Sequence, residues 1–148
     1  MTEDEQWMQR AIELGKQVQG TTGDNPYVGC VIVRVGQILG EGATQSPGNP
    51  HAEIMAIRDA EGKGYSVKGA SLYTTVEPCS FYGRTPACAL TLIDKEIARV
   101  IVGIQDPHPR VQGEGVRLLR EAQIEVVENI CADAVRLYLK DWLLTHTT

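Results

Sequence analysis

With 148 residues, 43% of them hydrophobic, the chain has the size and apolar content of one ordinary domain spanning residues 1–148, with room to bury roughly two-thirds of the surface its unfolded form exposes. A formal charge of −5, with 19 acidic and 14 basic residues and no Lys/Arg run, argues against nucleic-acid binding and leaves a small molecule as the default partner. No apolar run reaches membrane-spanning length, and the start MTEDEQWMQR lacks the build of a signal segment; a cytoplasmic location is expected, with the four cysteines serving as metal ligands or free thiols.

Trp7, Ala11, Leu14 and Val18 recur at helical spacing and predict a surface helix over 4–19, capped by Thr2 or Asp4. After the breaker-rich stretch 20–26, residues 28–35 and 37–43 read as a hairpin turning at Val35-Gly36-Gln37. The loop 46–50 precedes an apolar helix over 51–61, carrying Ile54, Met55, Ala56 and Ile57. Beyond it come a strand at 70–76, a helix at 86–94, a strand at 98–104, a helix at 115–122, a strand at 124–128 and a closing helix at 132–144. Strands alternating with helices predict an α/β fold, a partly parallel sheet covered on both faces.

Two segments carry chemistry. His51-Ala52-Glu53 opens the apolar helix, and Glu77-Pro78-Cys79 runs on to Cys88. A catalytic zinc site takes three protein ligands of the imidazole and thiolate type and leaves a fourth position for water, and His51, Cys79 and Cys88 meet that count. Water on such a metal becomes nucleophilic near neutral pH, and Glu53 is placed to shuttle its protons toward a ring nitrogen and a departing amine. The pattern is that of the zinc deaminases of nucleobases, His-x-Glu followed by Pro-Cys-x-x-Cys, except that eight residues rather than two separate the cysteines. His51 and Cys88 both fall at helix starts, where the positive end of the dipole favours thiolate and bound anion.

The other cysteines and histidines read more plainly. Cys30, inside the apolar run 28–33, and Cys131, at the start of the last helix, are expected to be core thiols. His146 lies in a polar tail, and His108, between two prolines, sits in a loop that can border a pocket.

The stretch EPCSFYGRTPAC, with NPYVGCVIV at 25–33 and DPHPRVQGEG at 106–115, resembles the deaminase domain of the riboflavin-biosynthesis deaminase/reductase, over about residues 5–143. That resemblance implies a cytidine-deaminase-like three-layer α/β/α sandwich with a mixed central sheet. It also implies hydrolysis of an amino group on a phosphoribosylamino pyrimidinone, with zinc as cofactor. Substrate contacts are implied at Asn25, Ala52, Ser80, Arg84 and Thr85, with Phe81 and His108 alongside. Asn25 would read the ring through its amide, and Arg84 would hold a phosphate through its guanidinium fork. A homo-oligomer and a separate reductase are the partners it suggests.

Three positions depart from the family pattern. Thr44 and Phe81 stand where histidines are usual, and His108 where the loop usually has asparagine. These leave open a deaminase of another base, nucleoside, nucleotide or aminoheterocycle. A non-catalytic zinc-binding module is the alternative of another class, against which Glu53 argues, because a structural zinc has no use for a carboxylate that is not a ligand.

Overall fold

The computed structural model describes residues 1–80, 87–107 and 112–146. Phe81, Arg84, Thr85 and His108 lie outside these residues, as does Pro86, the expected start of a helix.

The first helix, α1 (Glu3–Gln17), begins at a capping box: Glu5 N–H donates to Thr2 Oγ1 at 3.1 Å and Thr2 N–H to Glu5 Oε1 at 3.0 Å. Thr2 is therefore the cap. Asp4 is spent elsewhere, gripped by Arg99 through both carboxylate oxygens at 3.0 and 2.7 Å and by the Tyr73 hydroxyl at 2.7 Å. The helix buries Met8, Ala11, Ile12 and Gly15 along one face.

Strands β1 (Gly29–Arg34) and β2 (Gln37–Ala43) form the expected hairpin, with Arg34 paired to Gln37. The two residues between them, Val35 and Gly36, both have positive φ, 49° and 73°, the combination that a two-residue type I′ turn requires. The chain continues through α2 (Ala52–Gly62), β3 (Ser71–Val76), α3 (Cys88–Asp94), β4 (Arg99–Ile104), α4 (Glu114–Glu121), β5 (Glu125–Val127), α5 (Ala132–Tyr138) and α6 (Lys140–His146).

The strand order is β2-β1-β3-β4-β5. β1 runs antiparallel to both β2 and β3, whereas β3, β4 and β5 are parallel, so the sheet is mixed. Helices α1 and α5 pack on one face and α2, α3 and α4 form the layer on the other, which makes the three-layer α/β/α sandwich expected from the sequence. Burial from both sides explains why the central strands read as unbroken apolar runs, with Val100, Ile101 and Val102 wholly buried.

Helix α2 lies close on β2 because that strand carries Gly40 and Gly42. A Cβ at either would collide with the backbone of Ala52, Ala56 or Ala60. This close approach fixes where the N-terminus of α2 sits. On the same strand, Glu41 takes Arg10 at 2.6 Å while its backbone N–H donates to Asp59 Oδ2 at 2.9 Å.

The closing helix expected over 132–144 is two helices, interrupted at Leu139. Leu139 is wholly buried, and its N–H still bonds back to Val135. The interruption carries no Gly or Pro, so periodicity alone does not reveal it.

Candidate active site

Three side chains converge where β3 ends and two helices begin. His51 is the N-cap of α2, extended at φ −72° and ψ 169°, rather than a member of its first turn as the sequence suggests. Its carbonyl accepts from Met55 N–H, and its side chain makes no capping hydrogen bond. Cys79 follows β3 by three residues, and Cys88 is the first residue of α3. The Nδ1 of His51 stands 3.3 Å from Cys88 Sγ and 3.7 Å from Cys79 Sγ, and all three ligand atoms lie within 4.8 Å of one another.

This spacing fits zinc. Bonds of about 2.3 Å to sulfur and about 2.0 Å to nitrogen, meeting at a tetrahedral angle, separate the two atoms by about 3.5 Å. The charges fit as well. The Cys79 thiol is pulled down to about 5 by hydrogen bonds from Cys88 and from His51, against the cost of burial. The Cys88 thiol is pushed up, by the ionised Cys79 beside it and by burial. One thiolate is thus favoured and a second is not, until a cation enters between them. The Cys88 backbone N–H donates to Cys79 Sγ at 3.1 Å and orients that sulfur. Among the described residues no other group of three or more His, Cys, Asp or Glu is disposed to hold a metal.

Glu53, the second residue of α2, is 5% exposed. Burial pushes its carboxyl above the ordinary glutamate range, with the charge of Cys79 adding to the effect and His51 opposing it. A carboxyl so raised is a stronger base than an ordinary glutamate, which suits it to take a proton from water. The Cys30 thiol lies 3.7 Å from Glu53 Oε1. The sequence suggests only a core thiol there. Cys30 is indeed wholly buried, yet it faces the acid.

A cavity of about 170 Å³ opens in front of these groups, and its described lining includes Asn25, Ala52, Thr44 and Asp106 as well as His51, Glu53 and Cys79. Cavities of about 150 Å³ hold a single six-membered ring, so this one has room for a group of that size. Asn25 and Ala52 are both at its wall. Ser80 is half-buried beside Cys79 and is not among the residues lining the cavity.

Two lining residues have roles that motif reading misses. The Thr44 hydroxyl donates to Pro26 O and accepts from Val28 N–H, each at 2.9 Å, so it is spent on the segment that carries Asn25. Glu77 is 5% exposed and accepts three backbone N–H groups, from Asp106 and Gly113 at 2.7 Å and from Val116 at 3.1 Å. It stitches the loop before α4 to the end of β3. The available signal was an acid ending a strand of otherwise apolar and hydroxyl residues, SLYTTVE.

Residues 1–104 match the sequence model of the cytidine and deoxycytidylate deaminase zinc-binding region. The chain belongs to that family. Among its relatives is the riboflavin biosynthesis protein RibD of Haemophilus influenzae, 46% identical over 93% of this chain and 36% of that protein. The fold superposes on RibD of Acinetobacter baumannii with a TM-score of 0.90 at 44% identity, covering 98% of this chain and 40% of the other. It also superposes on a diaminohydroxyphosphoribosylaminopyrimidine deaminase/5-amino-6-(5-phosphoribosylamino)uracil reductase of Thermotoga maritima, with a TM-score of 0.88 at 40% identity over 95% of this chain and 40% of that one. The sandwich is cytidine-deaminase-like, and the chain spans well under half the length of these relatives. No helix among the described residues is long and apolar enough to cross a membrane.

Proposed function

We propose that residues 1–148 form a zinc-dependent hydrolytic deaminase acting on the diaminohydroxyphosphoribosylaminopyrimidine of riboflavin biosynthesis, with release of ammonia. The observation that carries this is the buried Glu53 beside the His51, Cys79 and Cys88 group, facing a cavity the size of one ring. The relatives' names supply the substrate.

His51, Cys79 and Cys88 would hold zinc, which when bound would supply the Lewis acidity that makes water nucleophilic near neutral pH. The chain's own groups do the rest. Glu53 takes a proton from the attacking water and delivers it to the ring nitrogen, then takes the proton of the added hydroxyl and delivers it to the leaving amine, while Cys30 at Oε1 holds the carboxylate's orientation. Asn25 presents to the ring an amide that no described residue hydrogen-bonds, and Ala52 forms part of the wall beside His51. Arg84 takes the phosphate, with Ser80, Thr85, Phe81 and His108 as further substrate contacts. A reductase consuming the product is the expected partner, on the same chain or on a separate one. Self-association would use the helical surfaces where Leu137 and Leu144 are exposed.

A second reading has its own observation. Because the Thr44 hydroxyl is spent on backbone, it offers the substrate nothing in place of the imidazole usual there, so another aminoheterocycle without a phosphoribosyl group would fit the same pocket. A non-catalytic zinc module is disfavoured, since burying a carboxylate that ligates nothing is costly and a structural site would have a fourth ligand.

Ammonia release from the ribotide, run beside cytosine, cytidine, adenine, guanine and their nucleotides with zinc-verified protein, separates these. Turnover of the ribotide with loss of zinc in His51→Ala, and loss of turnover with zinc retained in Glu53→Gln, is the expected result. Turnover of another compound alone moves the assignment to the second reading. Stoichiometric zinc in His51→Ala would remove the metal assignment.

A further inference from the structure

The segment that carries Asn25 belongs to no helix or strand, yet four consecutive carbonyls along it each accept a side-chain donor. Asp24 O takes Trp142 Nε1 at 2.9 Å, Asn25 O takes Thr22 Oγ1 at 2.7 Å, Pro26 O takes Thr44 Oγ1 at 2.9 Å and Tyr27 O takes the Tyr138 hydroxyl at 2.8 Å. Irregular backbone at a surface ordinarily turns such carbonyls to water. Here Thr22 belongs to the same loop, and the other three donors come from elsewhere in the fold. Two of them, Tyr138 on α5 and Trp142 on α6, lie more than a hundred positions away in sequence. The Tyr138 hydroxyl also stands 2.9 Å from Thr75 Oγ1, which accepts Gly29 N–H at 3.3 Å, so the tie runs into the buried ends of β3 and β1. The Tyr138 ring meets that of Tyr27 edge-on at 6.0 Å. What this clamp leaves uncommitted is the side-chain amide of Asn25 at the cavity wall.

We propose that Tyr138 and Trp142 are positioning residues for Asn25: the closing helices hold residues 24–27 in the geometry that turns the Asn25 amide to the substrate ring, so substrate affinity is set in part by side chains that never touch the substrate. A segment already ordered costs nothing to order on binding, and that saving appears as affinity. The inference rests on Asn25 being the residue that reads the ring.

The test uses Tyr138→Phe, which keeps the ring and removes only the hydroxyl, and Trp142→Phe on the more exposed helix, each alone and combined with Asn25→Ala. With the ribotide as substrate, Asn25→Ala raises KM about tenfold, and each positioning variant raises it roughly three- to tenfold with kcat within about twofold. Combined with Asn25→Ala, neither adds a further increase, because the group they position is gone. Equal increases in both backgrounds, or none in either, overturn the positioning role while Asn25 keeps its own. An unchanged KM in Asn25→Ala itself overturns both. Independently of any substrate, hydrogen exchange at the Asn25 and Val28 amides of the free protein rises at least tenfold in Tyr138→Phe; unchanged exchange also overturns the inference.

Discussion

The thiol of Cys30 lies 3.7 Å from Oε1 of Glu53, linking the strand that opens the sheet to the acid of the pocket. Burial and the nearby carboxylate push the Cys30 thiol well up, so it stays protonated and is a donor rather than a second anion. Cys30→Ala should lower the rate of ammonia release about two- to fivefold with zinc content unchanged, and Cys30→Ser should restore most of it. Equal rates in all three proteins would make the thiol a packing group alone.

Glu77 predicts a local effect. Glu77→Ala leaves three backbone N–H groups without their acceptor, so stability should fall by about 3 kcal/mol in urea titrations. The amides of Asp106, Gly113 and Val116 should exchange with solvent faster than those of the neighbouring strand β4. Exchange that rises evenly across the sheet would indicate general loosening instead.

At the opposite end of the sheet, hydrogen bonds from Arg99 hold the Asp4 carboxyl below its usual value of 3.8, with Tyr73 adding to the effect. A carboxyl lowered in the folded state contributes stability that is fully present above its unfolded value and is lost as pH falls through the lowered folded one. Asp4→Asn should therefore melt roughly 2–4 °C lower at pH 7, and the gap to the parent protein should narrow below about pH 3.8. A gap of constant size down to pH 2 would assign the effect to packing.

Val35 is 99% exposed and holds a left-handed φ of 49°. A β-branched residue is strained there, whereas asparagine followed by glycine suits a type I′ turn. Val35→Asn should raise stability by about 0.5–1 kcal/mol without altering turnover, as read from thermal melts and the ammonia assay. A lower melting temperature would indicate that the valine makes a contact the free chain hides.

The chemistry of the pocket was more legible than its support. His51, Glu53, Cys79 and Cys88 are visible because metal and acid chemistry restrict residue type and spacing, and the hairpin turn is visible because glycine marks it. The capping position of His51 was not visible, since proline and asparagine before it signal only a loop. Thr44, Glu77 and Cys30 escaped because each acts on a partner distant in sequence. The thiol that touches Glu53 sits in an apolar run indistinguishable from any buried strand. The interruption at Leu139 was hidden for a similar reason: burial decides it, and the apolar spacing continues across it. Strand order follows from tertiary pairing, which places β1 between β2 and β3, and no single segment encodes that.

The hairpin strand β2 is an outer edge of the sheet, the kind of surface on which a stray strand from another molecule can lengthen a sheet without limit. The Glu41 amide on that edge is already engaged by the Asp59 carboxylate, and the Glu41 side chain is fixed by Arg10. An incoming strand would have to expel a carboxylate and face a fixed ion pair before its first bond formed. The fold thus guards this edge of the sheet with the same strand whose glycines seat the helix of Glu53.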